Sequence, residues 1–216
     1  MKGLSVLSVI LLLLFSFTIV HSAEMLNGAG ASFPYPLYSS WAASYNKVTG
    51  VQINYQSIGS GGGIRQITER TVHFGASDLP LKNEELEKSG LLQFPAVIGG
   101  VVPIINVPEL KGKELILDGI VLAEIFLGEI KNWNDPKIKA LNPKINLPDQ
   151  TITVVHRSDG SGTTAIFTHY LSNVCKKWQE QIGYGTSVNW KTGLGAKGNE
   201  GVANYVRRTP YSIGYV

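Results

Sequence analysis

Hydrophobic and polar positions alternate in short blocks along most of this chain. Period-two alternation predicts a β-strand at 51–56, and short apolar runs rich in β-branched residues predict others; the predicted strands are 51–56, 73–78, 93–107, 151–157 and 211–216. Helical spacing occupies the stretches between them, and the predicted helices are 35–50, 62–70, 121–129, 164–181 and 201–210. Strands that alternate with helices predict an α/β fold.

The run 93–107 is apolar almost throughout but is interrupted by Pro95, Gly99 and Gly100. It is typical either of one buried strand or of a segment that crosses between two lobes.

The first 23 residues have the composition of a secretory signal peptide. Lys2 supplies an early positive charge, a long run of Leu, Val, Ile and Phe follows, and the small residues Ser22 and Ala23 end it. Cleavage after either small residue is expected. The alternative is an N-terminal membrane anchor, because the apolar run is nearly long enough to span a bilayer.

Composition and charge give little sign of a macromolecular partner. Without residues 1–23 the chain has 18 basic side chains, the 19 of the full sequence less Lys2, against 16 acidic ones. No basic stripe is present, so a nucleic-acid partner is not expected. The single cysteine, Cys175, cannot form an internal disulfide. It is expected to be buried as a small apolar side chain, although an intermolecular bridge or a reactive thiol stays open.

Four glycine-bearing polar stretches lie where a predicted strand or turn leads into a helix, at 28–36, 57–63, 75–81 and 157–164. The N-terminus of a helix presents unpaired N–H groups and a partial positive charge, and glycine lets the backbone approach a ligand closely. Each stretch alone is consistent with ordinary helix capping. Four together, with an arginine in the last, favour an anion-binding site.

Three charged residues sharpen this interpretation. Arg157 offers a planar set of donors to an oxygen-rich ligand, and Asp159, two residues on, is placed to hold that guanidinium. Asp78 would repel an anion unless the anion carries a proton to donate, which hydrogen phosphate does and sulfate at neutral pH does not. A helix N-cap is the alternative role for Asp78.

Motifs for a cofactor, a metal or a nucleophile are incomplete. Gly193, Gly195 and Gly198 satisfy G-x-G-x-x-G, but no acidic residue follows at the distance that a dinucleotide site requires. Ser161 lies outside a G-x-S-x-G elbow. The histidines that follow the signal segment lack metal-ligand spacing; they are His73, His156 and His169. No cofactor and no metal are expected.

Motifs along the whole chain after residue 26 resemble the family of bacterial periplasmic phosphate-binding proteins that serve phosphate-specific ABC transporters. They include "GAGASFPYPLYSSWA", "INYQSIGSGGGIRQI", "VHFGASDLPL", "RSDGSGTTAIFTHYL" and "GLGAKGNEGVANYV". The resemblance implies an α/β fold of two lobes joined by a hinge, here 24–97 and 98–216. It also implies a periplasmic monomer that binds inorganic phosphate, delivers it to membrane permease subunits and is not an enzyme.

The resemblance carries the phosphate contacts over residue by residue. Ser32 and Ser60 supply hydroxyls, and the family often has threonine where Ser32 stands. Asp78 accepts the phosphate proton. The remaining implied contacts are the N–H of Phe33, Arg157, Ser161, the N–H of Gly162, and Thr163, with Asp159 supporting Arg157.

Two other functions and one structural expectation stay open at this point. A secreted phosphoesterase or serine hydrolase could use Ser161 or Ser60 but would need a general base. A binder of sulfate or another oxyanion would have no use for Asp78. Because chains of this family continue past the equivalent of Val216, the first lobe is expected to be incomplete.

Overall fold

The computed structural model describes residues 25–216, and the signal-peptide prediction for 1–23 lies outside them. The described strands form two separate sheets. The first sheet has the order β2-β1-β3 with all strands parallel. Its strands are β1 (Met25–Gly30), β2 (Gln52–Ser57) and β3 (Phe74–Ala76). The helices that follow them are α1 (Tyr35–Thr49), α2 (Ser60–Thr68) and α3 (Asn83–Ser89).

The second sheet is mixed, with the order β4-β7-β5-β6. β4 pairs antiparallel with β7, whereas β5 runs parallel to both of its neighbours. Its strands are β4 (Pro103–Asn106), β5 (Thr153–Arg157), β6 (Leu194–Ala196) and β7 (Ser212–Tyr215). The helices of this half are α4 (Gly119–Phe126), α5 (Pro136–Leu141), α6 (Gly162–Val174), α7 (Lys176–Gln181) and α8 (Gly198–Arg208), with a 3-10 turn at Pro108–Leu110.

Local sequence explains where several of these helices begin and end. The Asp118 carboxylate accepts a hydrogen bond from the N–H of Val121 at 2.8 Å and so caps α4, as short polar side chains do at helix starts. Gly50 ends α1 with a left-handed φ of 77°, a conformation that glycine adopts without strain.

The large hydrophobic core lies against the second sheet. Trp133, Trp178 and Tyr215 are its largest fully buried side chains, and the ring of Phe167 stacks on that of Tyr215. Cys175 joins this core as a buried thiol, as the composition predicts.

The first sheet is covered much less completely. Among residues 25–100, the buried hydrophobic side chains are Ala29 and Ala31. Val48 at the end of α1 is 85% exposed, and the segment 91–102 holds no regular element and presents Leu92 and Ile98 almost fully to solvent.

Several sequence-based elements differ from the structure. The run 93–107 forms a strand only over Pro103–Asn106, because Pro95, Gly99 and Gly100 interrupt the pattern that a strand needs. The predicted helix 164–181 is divided at Cys175, whose backbone is extended. The pattern missed short or glycine-rich elements, namely β1, β6, α3 and α5.

No helix within residues 25–216 combines the length and the apolar character that a bilayer span requires.

Candidate functional site

Five loops that leave the carboxyl ends of parallel strands meet between the two sheets. Ligands of open α/β sheets bind outside the carboxyl ends of the strands, because loops and helix N-termini gather there. Each loop contributes at least one polar side chain within four residues of the end of its strand. These side chains include Ser32 after β1, Ser60 after β2, Asp78 after β3, Ser161 after β5 and Asn199 after β6.

Hydrogen bonds join the loops of the first sheet to those of the second. The hydroxyl of Thr163 donates to Asp78 Oδ2 at 3.0 Å. The N–H of Asn199 donates to Ser32 Oγ at 3.0 Å, and the N–H of Gly61 donates to the carbonyl oxygen of Gly160 at 2.9 Å. The structure therefore shows the two halves in direct contact around the site.

Arg157 supplies a buried positive charge to this site. It is 4% exposed, at the end of β5. Its Nε and Nη2 donate to the two carboxylate oxygens of Asp159 at 2.8 and 2.5 Å, the paired geometry that fixes a guanidinium most firmly. Burial by itself would raise the pKa of Asp159, but the hydrogen bonds and charge of Arg157 outweigh burial and hold this pKa below its usual value.

Asp78 lies on the loop after β3 and contributes to the site from the first sheet. It does not cap a helix, since Lys82 occupies the N-cap position of α3. Its N–H donates to Ser60 Oγ at 3.2 Å, which fixes the loop. Burial raises the pKa of the Asp78 carboxyl, although the hydrogen bond from Thr163 and the charge of Arg157 act in the opposite direction. The carboxylate is thus half-buried, is hydrogen-bonded by Thr163, and has lone pairs left for a further donor.

The raised pKa of Asp78 predicts a pH-dependent stability difference. A carboxyl whose folded-state pKa exceeds its unfolded value stabilises the fold below the unfolded pKa, and this stability is lost as the pH rises through the folded pKa. We therefore expect ligand-free Asp78→Asn to unfold at a higher temperature than wild type at neutral pH, with a difference that shrinks towards acidic pH. Thermal unfolding in phosphate-free buffer across that pH range measures it. A variant less stable than wild type at neutral pH would contradict the prediction.

The other residues carried over by resemblance lie in these loops or in the first turn of the helix that follows. Ser161 is the N-cap of α6, where its Oγ accepts from the N–H of Thr164 at 3.0 Å. Gly162 is the first residue of that helix. Phe33 lies between Ser32 and the start of α1, beside Gly99. Ser32, Ser60, Ser161 and Thr163 are all at most 5% exposed.

Sequence reasoning missed two residues that contact this group. Asn199, the second residue of α8, bonds to Arg157 and Thr163 through its side chain. Its signal was available, because 194–199 has the strand, glycine and helix order of the other junctions. Tyr215 supports the site through its hydroxyl, which accepts a hydrogen bond from the N–H of Arg157 at 3.2 Å and bonds to Thr164 Oγ1 at 2.6 Å. Burial raises the pKa of Tyr215 to about 12.

The described histidines are engaged away from Ser60 and Ser161. His73 Nδ1 accepts from the N–H of Asn27, His156 Nδ1 contacts the carbonyl oxygen of Arg157 while its ring stacks on Trp190, and His169 packs against a tyrosine. Over residues 25–216 no cluster of His, Cys, Asp and Glu has the arrangement of a metal site.

Comparisons with known proteins agree with this architecture. The chain is 61% identical over 194 residues to the phosphate-binding protein PstS of Haemophilus influenzae and 59% identical over 210 residues to that of Pasteurella multocida. The matches cover 90% and 97% of this chain but 58% and 61% of those relatives. The chain therefore spans about three fifths of their length.

A solved structure supports the fold. A high affinity periplasmic phosphate-binding protein bound with phosphate superposes with a TM-score of 0.70 at 24% identity, over 89% of this chain and 56% of its own. The predicted α/β periplasmic-binding-protein fold is thereby confirmed. The model of the PBP superfamily domain matches residues 20–216, and this chain belongs to that superfamily.

Proposed function

We propose that this chain binds inorganic phosphate reversibly at the five strand ends and delivers it to the permease subunits of an ABC transporter. The observation that carries the proposal is that a buried guanidinium, Arg157, and a carboxylate, Asp78, belong to one hydrogen-bonded group, which connects them through Asn199 and Thr163. A guanidinium and helix N-termini attract an oxyanion, whereas the carboxylate favours an oxyanion that still carries a proton.

Charge in the site agrees with an anion that is held mainly by dipoles. Arg157 is neutralised by Asp159, and Asp78 adds a further negative charge. Attraction must then come from hydroxyl groups, from backbone N–H groups and from the partial positive charge at the starts of α2, α6 and α8. Arg157 adds the two guanidinium N–H groups that Asp159 and Asn199 leave unused. A ligand that donates one proton to Asp78 and accepts from the other groups satisfies this arrangement, and hydrogen phosphate has both properties.

The relatives support the same ligand, since both PstS proteins are named for phosphate binding. We extend the proposal to export by a signal peptide in residues 1–23, action in the periplasm as a monomer, and the absence of catalysis. Lobes 24–97 and 98–216 belong to the proposal as well. The first sheet ends at Ala76 and the second begins at Pro103, which supports a division between them.

Calorimetric titration with phosphate and then with sulfate tests the function. Sulfate offers no proton to Asp78, so the carboxylate would face a sulfate oxygen with no hydrogen bond between them. An unmatched charged group costs at least about 3 kcal/mol, and we therefore expect sulfate to bind at least about 100-fold more weakly than phosphate. Asp78→Asn should reduce the difference between the phosphate and sulfate affinities, because an amide can donate a hydrogen bond to sulfate.

Asp149→Asn is the matched control, since Asp149 is an exposed carboxylate that accepts from Asn132. It should keep the wild-type preference for phosphate. Equal affinities of wild type for phosphate and sulfate, or release of nitrophenol from nitrophenyl phosphate with turnover, would contradict the proposal.

A further inference from the structure

Asn199 holds a position that the resemblance does not assign to a ligand contact. It follows β6 as the second residue of α8 and is half-buried between the two halves of the site. Its side chain accepts from Arg157 Nη1 at 2.6 Å and donates to Thr163 Oγ1 at 3.2 Å. Both atoms of its amide group are therefore used inside the site.

The chemistry of Arg157 fixes the direction of these hydrogen bonds. A guanidinium only donates, so the atom of Asn199 beside Nη1 must be the amide oxygen, and the amide nitrogen must face Thr163. The Thr163 oxygen accepts from this nitrogen, which leaves its own hydrogen for Asp78 Oδ2 at 3.0 Å. A single directed path thus runs from Arg157 through Asn199 and Thr163 to Asp78.

The backbone of Asn199 connects the same path to the first sheet. Its N–H donates to Ser32 Oγ at 3.0 Å, across 167 positions of sequence. The N–H of Gly198, just before it, donates to Asp159 Oδ1 at 3.1 Å. The start of α8 is therefore hydrogen-bonded to Asp159 through Gly198 and to Arg157 through Asn199. Displacement of Asn199 would then disturb Arg157, Thr163 and Ser32 together.

We propose that Asn199 is a positioning residue of the oxyanion site: it orients the Arg157 guanidinium and the Thr163 hydroxyl and ties α8 to the loop that carries Ser32. The inference rests on the proposed function, because it describes how that site is held for its anion. Asn199 acts through the groups that it orients.

Two substitutions separate this role from simple packing. Asn199→Ala removes both side-chain hydrogen bonds. Asn199→Asp keeps the size and the acceptor for Arg157, but it loses the donor to Thr163 and adds a negative charge near Asp78, Asp159, Glu200 and the anion. If Asn199 only fills space, the isosteric Asn199→Asp should lower phosphate affinity less than Asn199→Ala. If Asn199 positions groups next to the anion, Asn199→Asp should lower phosphate affinity more than Asn199→Ala.

The test is calorimetric titration of the wild-type chain, both Asn199 variants and Asn204→Ala with inorganic phosphate. Asn204 is an exposed asparagine on the same helix that accepts from Arg207, so its variant should bind like wild type. We expect Asn199→Ala to bind about 10- to 100-fold more weakly, as for the loss of a hydrogen bond to a charged group. Asn199→Asp should be weaker than Asn199→Ala by about tenfold or more.

Thermal unfolding of each variant establishes that it is folded, and Asn199→Ser replaces Asn199→Ala if the latter melts too low to titrate. Phosphate affinity of the uncharged variant within twofold of Asn204→Ala, or a milder effect of aspartate than of the uncharged residue, would overturn the inference while the proposed function stands. A wild-type chain that binds no phosphate would overturn the proposed function and this inference with it.

Discussion

Replacing Arg157 with methionine is expected to weaken phosphate binding by about 30- to several-thousand-fold. Truncating one partner of a buried, hydrogen-bonded charge pair costs about 2–5 kcal/mol or more in binding. In the proposed complex Arg157 and phosphate form such a pair, because Arg157 is 4% exposed and Asp159 holds its guanidinium in place. Methionine keeps much of the length of the side chain and removes the charge. Calorimetric titration with phosphate measures the change.

Arg207→Met is the control for this substitution. Arg207 is an exposed arginine of α8 that donates to Asn204, and its loss should leave phosphate affinity unchanged. Arg157→Met also leaves the Asp159 carboxylate unpaired and should lower stability. The double variant Arg157→Met/Asp159→Asn removes that unpaired charge, so it should regain stability without regaining affinity. Wild-type phosphate affinity in Arg157→Met would contradict the assignment of Arg157 to the anion.

Replacing Gly162 with alanine is the second substitution with a large expected effect. A Cβ at Gly162 would lie 2.5 Å from Ser60 Oγ and 2.6 Å from Asp78 Cβ, so the loops of the first sheet would have to move away from α6. Overpacking of this kind costs about 1–3 kcal/mol. We expect phosphate affinity to fall about 10- to 100-fold, as measured by titration.

Gly201→Ala is the matched control on α8. A Cβ there would meet its nearest neighbour at an ordinary 3.6 Å, and alanine favours a helix over glycine by about 1 kcal/mol. This variant should bind phosphate normally and unfold at a slightly higher temperature. If Gly162→Ala bound phosphate as tightly as Gly201→Ala, close contact between the halves would not be needed for binding.

The polar loops could be predicted from sequence because their signals are local. Ser60 follows a short predicted strand, Asp78 and Arg157 are the last residues of two others, and parallel strands bring their carboxyl ends to one edge of a sheet. The structure brings these side chains together with Ser32 and Ser161, as that reasoning expects. Whether they bind phosphate stays a prediction.

Asn199 was missed because its importance depends on partners far away in sequence. It is uncharged, it follows a glycine pattern that fails as a dinucleotide motif, and its contacts with Arg157, Thr163 and Ser32 span 36 to 167 positions. The order of strand, glycine and helix in 194–199 marks a junction, but no local pattern encodes which distant residues that junction contacts. β1 was missed for a different reason. Its sequence, "MLNGAG", has little β-propensity, and it becomes the central strand only through pairing on both sides.

The segment 91–102 shows that hydrophobic content does not by itself produce a buried strand. Leu92, Phe94 and Ile98 give it the composition of a core strand, yet they are 83–100% exposed. Pro95 lacks the backbone N–H that strand pairing uses, and the two glycines make the backbone less rigid. No neighbouring strand pairs with 91–101 in the described structure. Burial depends on a partner surface, which sequence pattern alone does not supply.

A crystal structure of the chain grown with phosphate tests the central claim most directly. We predict one phosphate between the two sheets, with an oxygen of Asp78 about 2.5–2.7 Å from a phosphate oxygen, the short distance of an O–H donor to a carboxylate. Phosphate bound at some other place, or an Asp78 side chain turned away from it into solvent, would contradict the account.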